Sequence, residues 1–237
     1  FYSIPIFGRS ADNYRDHRQV TTMFQECFIE NNCVKVKPKI FHDESSHVIN
    51  NTNYYVKAFQ NGKSTKKIWT RLNDFTGISG NLDNPKSIYF NEDPPKLKNS
   101  ELHGVETIAA FKFDTIKIKP NKKSFYTVIH GISNDSNKLR KICKKYSNIN
   151  NIDNSYKETL KFWKNKISKN LIKTGNIQFN NWVKWIQFQV KCRQIYGNSF
   201  LPDYGYGRGG RGWRDLWQDL LSIFLVDPKS GHDEIIN

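Results

Sequence analysis

Asp203-Tyr-Gly-Tyr-Gly-Arg-Gly-Gly-Arg-Gly-Trp-Arg-Asp-Leu-Trp-Gln-Asp-Leu-Leu221 sets a glycine-rich loop directly before an amphipathic helix. Glycine lets backbone approach a ligand and adopt positive φ, and arginine presents fork-shaped donors to phosphate or carboxylate. Arg208 and Arg211 lie in the loop, and Arg214 opens the helix. Asp215 and Asp219 are four residues apart, so they project from neighbouring turns of one helical face. Two carboxylates and up to three guanidiniums thus gather within about three turns of chain. That composition suits a polyhydroxylated, anion-bearing ligand. Trp213, Leu216, Trp217, Leu220, Leu221, Phe224 and Leu225 recur at helical spacing and give the helix a wide apolar face. Disordered Gly/Arg segments that solvate RNA have no such face, because they bury nothing. A plainer reading stands beside this one: acidic residues in a first turn suit the positive end of the helix dipole.

Working upstream, residues 178–196 read as a second helix with Phe179, Trp182, Val183, Ile186 and Val190 on one side, core rather than sugar platform. Ser155-Tyr-Lys-Glu158 is a capping-box pattern and predicts a helix from there through Lys169. Leu160, Trp163 and Ile167 form its packing face, and Thr174-Gly175 a stop. Ser136–Lys145 predicts a short basic helix with Leu139, Ile142 and Cys143 as its inner side.

Residues 1–140 are strand-like. Val34–Ile40 alternates valine with lysine, Asn53–Phe59 is aromatic and β-branched, and Ile108–Phe113 is apolar. Thr115–Lys119 and Ser124–His130 alternate and predict a hairpin joined by Pro120-Asn-Lys-Lys. Val20–Ile29 fits a short helix or a strand equally. Turn clusters at Asn50-Asn51, Asn61-Gly62 and Asn91–Pro95 punctuate the series. Many short strands with such turns point to a β-sandwich.

At 237 residues, 37% hydrophobic and 14% aromatic, the chain can hold one large or two modest cores. No apolar run approaches the roughly 20 residues of a membrane span. Phe1 is no initiator and no signal-type segment is visible, so a processed or excised piece is expected. The net charge of +15 invites a nucleic-acid partner. It is dispersed, however, over Lys63–Lys67, Lys117–Lys123 and Lys138–Lys145, without base-reading residues on one element, so nucleic acid is not the expected partner. Cys27, Cys33, Cys143 and Cys192 form no CxxC pair and no His is spaced with them for zinc, so no metal site is expected. They read as free thiols of a reducing, cytoplasmic compartment.

The segment Asn176–Pro228 resembles the start of the catalytic domain in the inverting glycoside phosphorylases that include cellobiose phosphorylase, a domain shared with cyclic β-1,2-glucan synthases. The likeness is carried by Phe179-Asn-Asn-Trp-Val-Lys-Trp-Ile-Gln-Phe-Gln-Val190 and by Gly212-Trp-Arg-Asp-Leu-Trp-Gln-Asp-Leu-Leu221. Ser3-Ile-Pro-Ile-Phe-Gly-Arg-Ser-Ala-Asp-Asn-Tyr-Arg-Asp-His-Arg18 is similar to the longer members, among them the 1,2-β-oligoglucan phosphorylases. Its crowded charges at Arg9, Asp12, Arg15, Asp16 and Arg18 allow sugar contact across a domain boundary, but read rather as a buried ion-pair and turn network. The resemblance implies a mainly β then α chain, a β-sandwich (1–135), a helical linker (136–175) and the first helices of an incomplete (α/α)6 barrel (176–237). It implies inverting phosphorolysis or transfer of β-linked glucosides.

By the same resemblance, Arg208, Arg214, Asp215 and Asp219 are substrate-binding residues of the glucosyl subsite. The family's Gly-Asp-Trp-Asn-Asp segment, which carries the general acid, is absent, so no catalytic residue is expected in this chain. Inorganic phosphate is implied as co-substrate with no other cofactor, and a β-glucoside or β-glucan oligosaccharide as partner. The remainder of the enzyme, or a second chain, is expected to cover the open barrel. The alternative is a non-catalytic β-sandwich module that binds carbohydrate or nucleic acid and holds anions on its Gly/Arg loop.

Overall fold

The structure, a computed structural model, describes residues 1–6, 22–23, 25–37, 53–78, 80–168, 172–196 and 213–236, without the side chains of 193–196, 213–216, 218, 219 and 234–236. The chain divides into two compact units, Phe1–Ile152 and Asp153–Asn237. The first is built from β1 (Tyr2–Ile6), β2 (Glu26–Glu30), β3 (Cys33–Lys37), β4 (Asn53–Gln60), β5 (Lys63–Ser64), β6 (Lys67–Arg71), α1 (Leu72–Thr76), α2 (Lys86–Tyr89), a 3-10 turn (Asn99–Leu102), β7 (Thr107–Lys112), β8 (Tyr126–Ser133) and α3 (Ser136–Tyr146). All strand pairs are antiparallel. One sheet has the order β1-β7-β6; the other runs β2-β3-β4-β5, with β8 along the remaining edge of β4.

Side chains alternate across a strand, and here both faces of each central strand find cover. Val34 and Val36 of β3 and Val56 and Ala58 of β4 meet Ile68, Ala109 and Phe111 of the other sheet in one buried core. The opposite face of the five-stranded sheet presents Cys33, Tyr55 and Phe59 to Leu139 and Cys143 of α3. The opposite face of the three-stranded sheet presents Trp69, Ile108 and Ala110 to Leu72 and Phe75 of α1, with the Trp69 and Phe75 rings 5.5 Å apart. The unit is therefore four layers, helix on sheet on sheet on helix. It is a β-sandwich with a helix on each outer face.

Two tight turns fix the registers. Glu30 pairs Cys33 across Asn31 (φ 52°) and Asn32 (φ 57°). Gln60 pairs Lys63 across Asn61 (φ 49°) and Gly62 (φ 79°). Two successive positive φ values make the mirror-image turn whose twist matches that of the strands, and Asn and Gly are the residues that tolerate it. Val20–Ile29, open from sequence, forms strand from Glu26 onward.

The expected hairpin of Thr115–Lys119 with Ser124–His130 does not form. A turn does close at Pro120-Asn121, with Lys122 N–H donating to Lys119 O at 3.0 Å. But Thr115–Lys119 is outside the sheets, and β8 pairs all eight residues of β4 instead, Tyr126 opposite Gln60 through Ser133 opposite Asn53. The cause is local. The Gln60 side chain donates to Asp114 O and accepts from Asp114 N–H, both at 2.9 Å, so the backbone is satisfied where it leaves β7. Ile116 and Ile118 then stay exposed.

The second unit is helical: the part of α4 (Ile149–Ile167) from Asp153 on, α5 (Ile177–Tyr196), α6 (Trp213–Val226) and α7 (Pro228–Ile236). α5 packs on α6 and α6 on α7. The capping box expected at Ser155 is absent because α4 starts two turns earlier. Asn148 Oδ1 accepts from Asn150 N–H at 2.9 Å, a cap that leaves Ser155 inside the helix, its carbonyl accepting from Thr159 Oγ1. Among the described residues no helix is long and apolar enough to cross a membrane, and no group of His, Cys, Asp and Glu could hold a metal ion. All four cysteines are free thiols.

Gly131 lies opposite Tyr55 in the β4–β8 ladder, and a Cβ there would stand 3.0 Å from the Tyr55 hydroxyl oxygen. Gly131→Val should therefore cost about 1–3 kcal/mol by overpacking, read as a lower urea midpoint. An unchanged midpoint would show that Tyr55 can leave its place over the glycine.

Candidate functional site

Of the residues expected to bind substrate, Arg208 falls outside the described residues, as do Arg211, Tyr204 and Tyr206. So do the charged residues between Arg9 and Arg18. Arg214, Asp215 and Asp219 sit on α6, where the backbone is described and their side chains are not. Register still places them. Leu220 and Ile223 are buried and mark the inward side of α6, while Trp217, Leu221 and Leu225 are exposed. At about 100° per residue, Asp215 and Asp219 share a strip with Ser222 and Val226. Arg214 falls on the exposed strip of Trp217, Leu221 and Leu225, about 100–140° from the two aspartates.

Of the carboxylates beyond this helix, Asp227 and Asp233 have described partners. Asp227, between α6 and α7, accepts from Lys166 Nζ at 3.1 Å and is largely buried. It directly precedes Pro228, which opens α7 at a position that needs no N–H donor. Gly231 of α7 lies against Phe224, where a Cβ would stand 3.0 Å from the ring. Asp233 is exposed beside His232, 3.7 Å from its Nδ1.

α5 departs from its expected face. Val183, Ile186 and Val190 are half-buried and Gln187 is buried, but Phe179 and Trp182 are exposed, the latter at 56%. The apolar residues of this helix surround it rather than lining one side, so the interior takes only some of them. Trp185, 54% exposed, stacks on Phe188 at 5.2 Å, and Phe188 meets Trp163 of α4 at 4.9 Å.

A second cluster had no signal in the sequence, because its members come from three separated segments. On the outer face of the five-stranded sheet, Lys35 is buried and donates to Glu30 and to Ser136 Oγ, the latter at 3.2 Å. The hydrogen bond and charge of Lys35 hold the Glu30 carboxyl below the usual range. Asp135 caps α3, accepting from Asn137 and Lys138 N–H at 2.7 and 3.2 Å, and these bonds lower its pKa as well. Lys57 reaches the Asn31 carbonyl at 2.8 Å. Glu30, Lys35, Lys57 and Ser136, with Arg140 and Lys144 of α3, border a cavity of about 190 Å³. The only trace in the sequence is the valine–lysine alternation of β3, which puts Lys35 on the face opposite Val34 and Val36.

Residues 6–149, more than half of the chain, match the family model described as glycosyl hydrolase 94, supersandwich domain. No curated protein matches the chain.

The depressed Glu30 and Asp135 carboxyls stabilise the fold at pH values above their unfolded pKa, about 4 for such groups. That contribution is lost as pH falls through their lower folded values. The urea midpoint should therefore drop on acidification, and Glu30→Gln should flatten the drop. Equal acid slopes in the two proteins would mean that the Lys35 pair does not persist in solution.

Proposed function

The chain belongs to the glycosyl hydrolase 94 family of carbohydrate-active enzymes, and from that premise we propose that it serves the inverting phosphorolysis of a β-linked glucoside or β-glucan oligosaccharide. The observation that carries this function is the family match over residues 6–149. Its extension to the glucosyl subsite rests on the Gly212–Leu221 motif, whose helix follows at Trp213–Val226.

In the proposed reaction inorganic phosphate is the co-substrate and brings its own nucleophile. A phosphate oxygen forms a bond to the anomeric carbon as the glycosidic C–O bond breaks on the opposite face, and an acid protonates the departing oxygen. No Gly-Asp-Trp-Asn-Asp segment occurs in these 237 residues, so the acid is assigned to polypeptide outside them. Asp215 and Asp219 accept hydrogen bonds from glucosyl hydroxyls, with Arg214 and Arg208 donating to sugar or phosphate oxygens as charge develops. We place residues 176–237 as the first helices of an (α/α)6 barrel; the successive packing of α5, α6 and α7 supports this. Exposure of Trp182, Trp185 and Trp217 supports cover by further helices or a second chain. The four free thiols support a cytoplasmic setting.

Charged hydrogen bonds of this kind contribute about 1.5–3 kcal/mol each. In the enzyme containing this chain, Asp219→Asn should lower kcat/KM for phosphorolysis by about 10- to 150-fold, read as glucose 1-phosphate release. Lys123→Gln, on an exposed turn, should leave it unchanged. Full activity and normal glucoside affinity in Asp219→Asn would remove α6 from the sugar subsite. Glucan binding without any phosphorolysis would favour a non-catalytic carbohydrate-binding module.

A further inference from the structure

The cavity on the outer face of the five-stranded sheet is built from residues of the first unit alone. Its geometry is set by two registers. Cys33 pairs Lys57 and Lys35 pairs Tyr55 across β3 and β4, so both lysines stand on the sheet face that α3 covers. Along α3, Ser136, Arg140 and Lys144 recur every fourth residue and form one strip. Leu139 and Cys143, beside that strip, anchor the helix to the sheet. The cations of the two elements border the same cavity of about 190 Å³.

Charge does not balance there. Among the described residues Glu30 is the single carboxylate lining the cavity beside four cations; Lys35 bonds it, and the charge of Arg140 also acts on it. Lys57 meets only the neutral Asn31 carbonyl and the Phe59 ring, 5.5 Å to its centre. Arg140 donates to the neutral Asn137 amide at 2.9 Å. The Lys144 carbonyl accepts from Ser147 Oγ, and its ammonium has no hydrogen-bond or ion-pair partner among the described residues. The thiols bring no hidden charge, since burial pushes Cys33 up to about 12 and raises Cys143 too, so both stay protonated near neutrality. Elsewhere in this unit close cations share a carboxylate, as Lys67 and Lys112 share Asp93. Four cations against one carboxylate leave an excess of three positive charges around the cavity, which matches a doubly charged oxyanion, and arginine and lysine side chains are its usual ligands. The volume corresponds to about six water molecules at 30 Å³ each, room for a phosphoryl group with part of its carrier.

We propose that this cleft binds a phosphate oxyanion, free or as the phosphoryl group of a sugar phosphate, between Lys57 of the sheet and Arg140 and Lys144 of α3. Bound there, the anion ties the helix to the sheet and stabilises the folded unit by mass action.

The test is calorimetric titration of the 237-residue chain with inorganic phosphate and, separately, glucose 1-phosphate at constant ionic strength, with sodium chloride as control. Saturable phosphate binding is expected, with a dissociation constant on the order of 1 mM or tighter. Lys57→Gln/Arg140→Gln should weaken it at least about tenfold with an unchanged circular dichroism spectrum. Lys141→Gln, exposed on the same helix outside the cleft, should bind as the parent does. Tighter binding of glucose 1-phosphate identifies a sugar phosphate as occupant, and equal or weaker binding identifies free phosphate. No saturable binding of either, or binding that the double substitution leaves intact, overturns the site. The result is independent of Asp219 and of phosphorolysis, so neither test decides the other.

Discussion

Asn53–Gln60 is the strand on which the first unit depends. It is hydrogen-bonded along one edge to β3 and then β5, and along the other, for its full length, to β8. Its side chains are claimed on both faces, Val56 and Ala58 by the inter-sheet core and Tyr55 and Phe59 by α3. A strand in that position has no solvent side, and a one-residue slip would exchange its two sets of side chains. The tight turns at Asn31-Asn32 and Asn61-Gly62 hold that register against slippage. Gly131 lets Tyr55 lie across the neighbouring strand.

This double burial explains which elements were legible. β4, β7 and α3 were readable within one or two residues, because each combines a strong local pattern with a matching tertiary demand. Thr115–Lys119 has as good an alternation as β8, yet only one of them could have the free edge of β4. The choice is made by Gln60, whose side chain bonds Asp114 from 54 residues away. Ser155 misled in a similar way. Its spacing to Glu158 is a cap pattern, but Asn148 starts the helix earlier, and a helix once started extends through a serine at little cost.

The candidate sites divide along the same line. The residues proposed for the sugar subsite lie in one continuous motif, from Arg208 to Asp219, whose helix forms at Trp213–Val226. The same spacing puts Arg214 on a different strip of that helix from Asp215 and Asp219. The cationic cleft is the opposite case. Lys35, Lys57 and Arg140 are single residues on three elements, and nothing links them until β3, β4 and α3 are packed together. Dispersed lysines read from sequence as a solvated surface thus include some that folding concentrates.

The pairing of β1 with β7 sets a timetable for making this protein. Tyr2–Ile6 finds its hydrogen-bonding partner at Thr107–Phe111, about a hundred residues further along the chain. At a synthesis rate of roughly 5–20 residues per second, a ribosome exposes the apolar Tyr2–Ile6 segment for about 5–20 s before its partner strand emerges. The β2–β3 hairpin, closed by a two-residue turn, has no such wait. During nascent-chain growth the five-stranded sheet can begin to assemble while β1 is still unpaired.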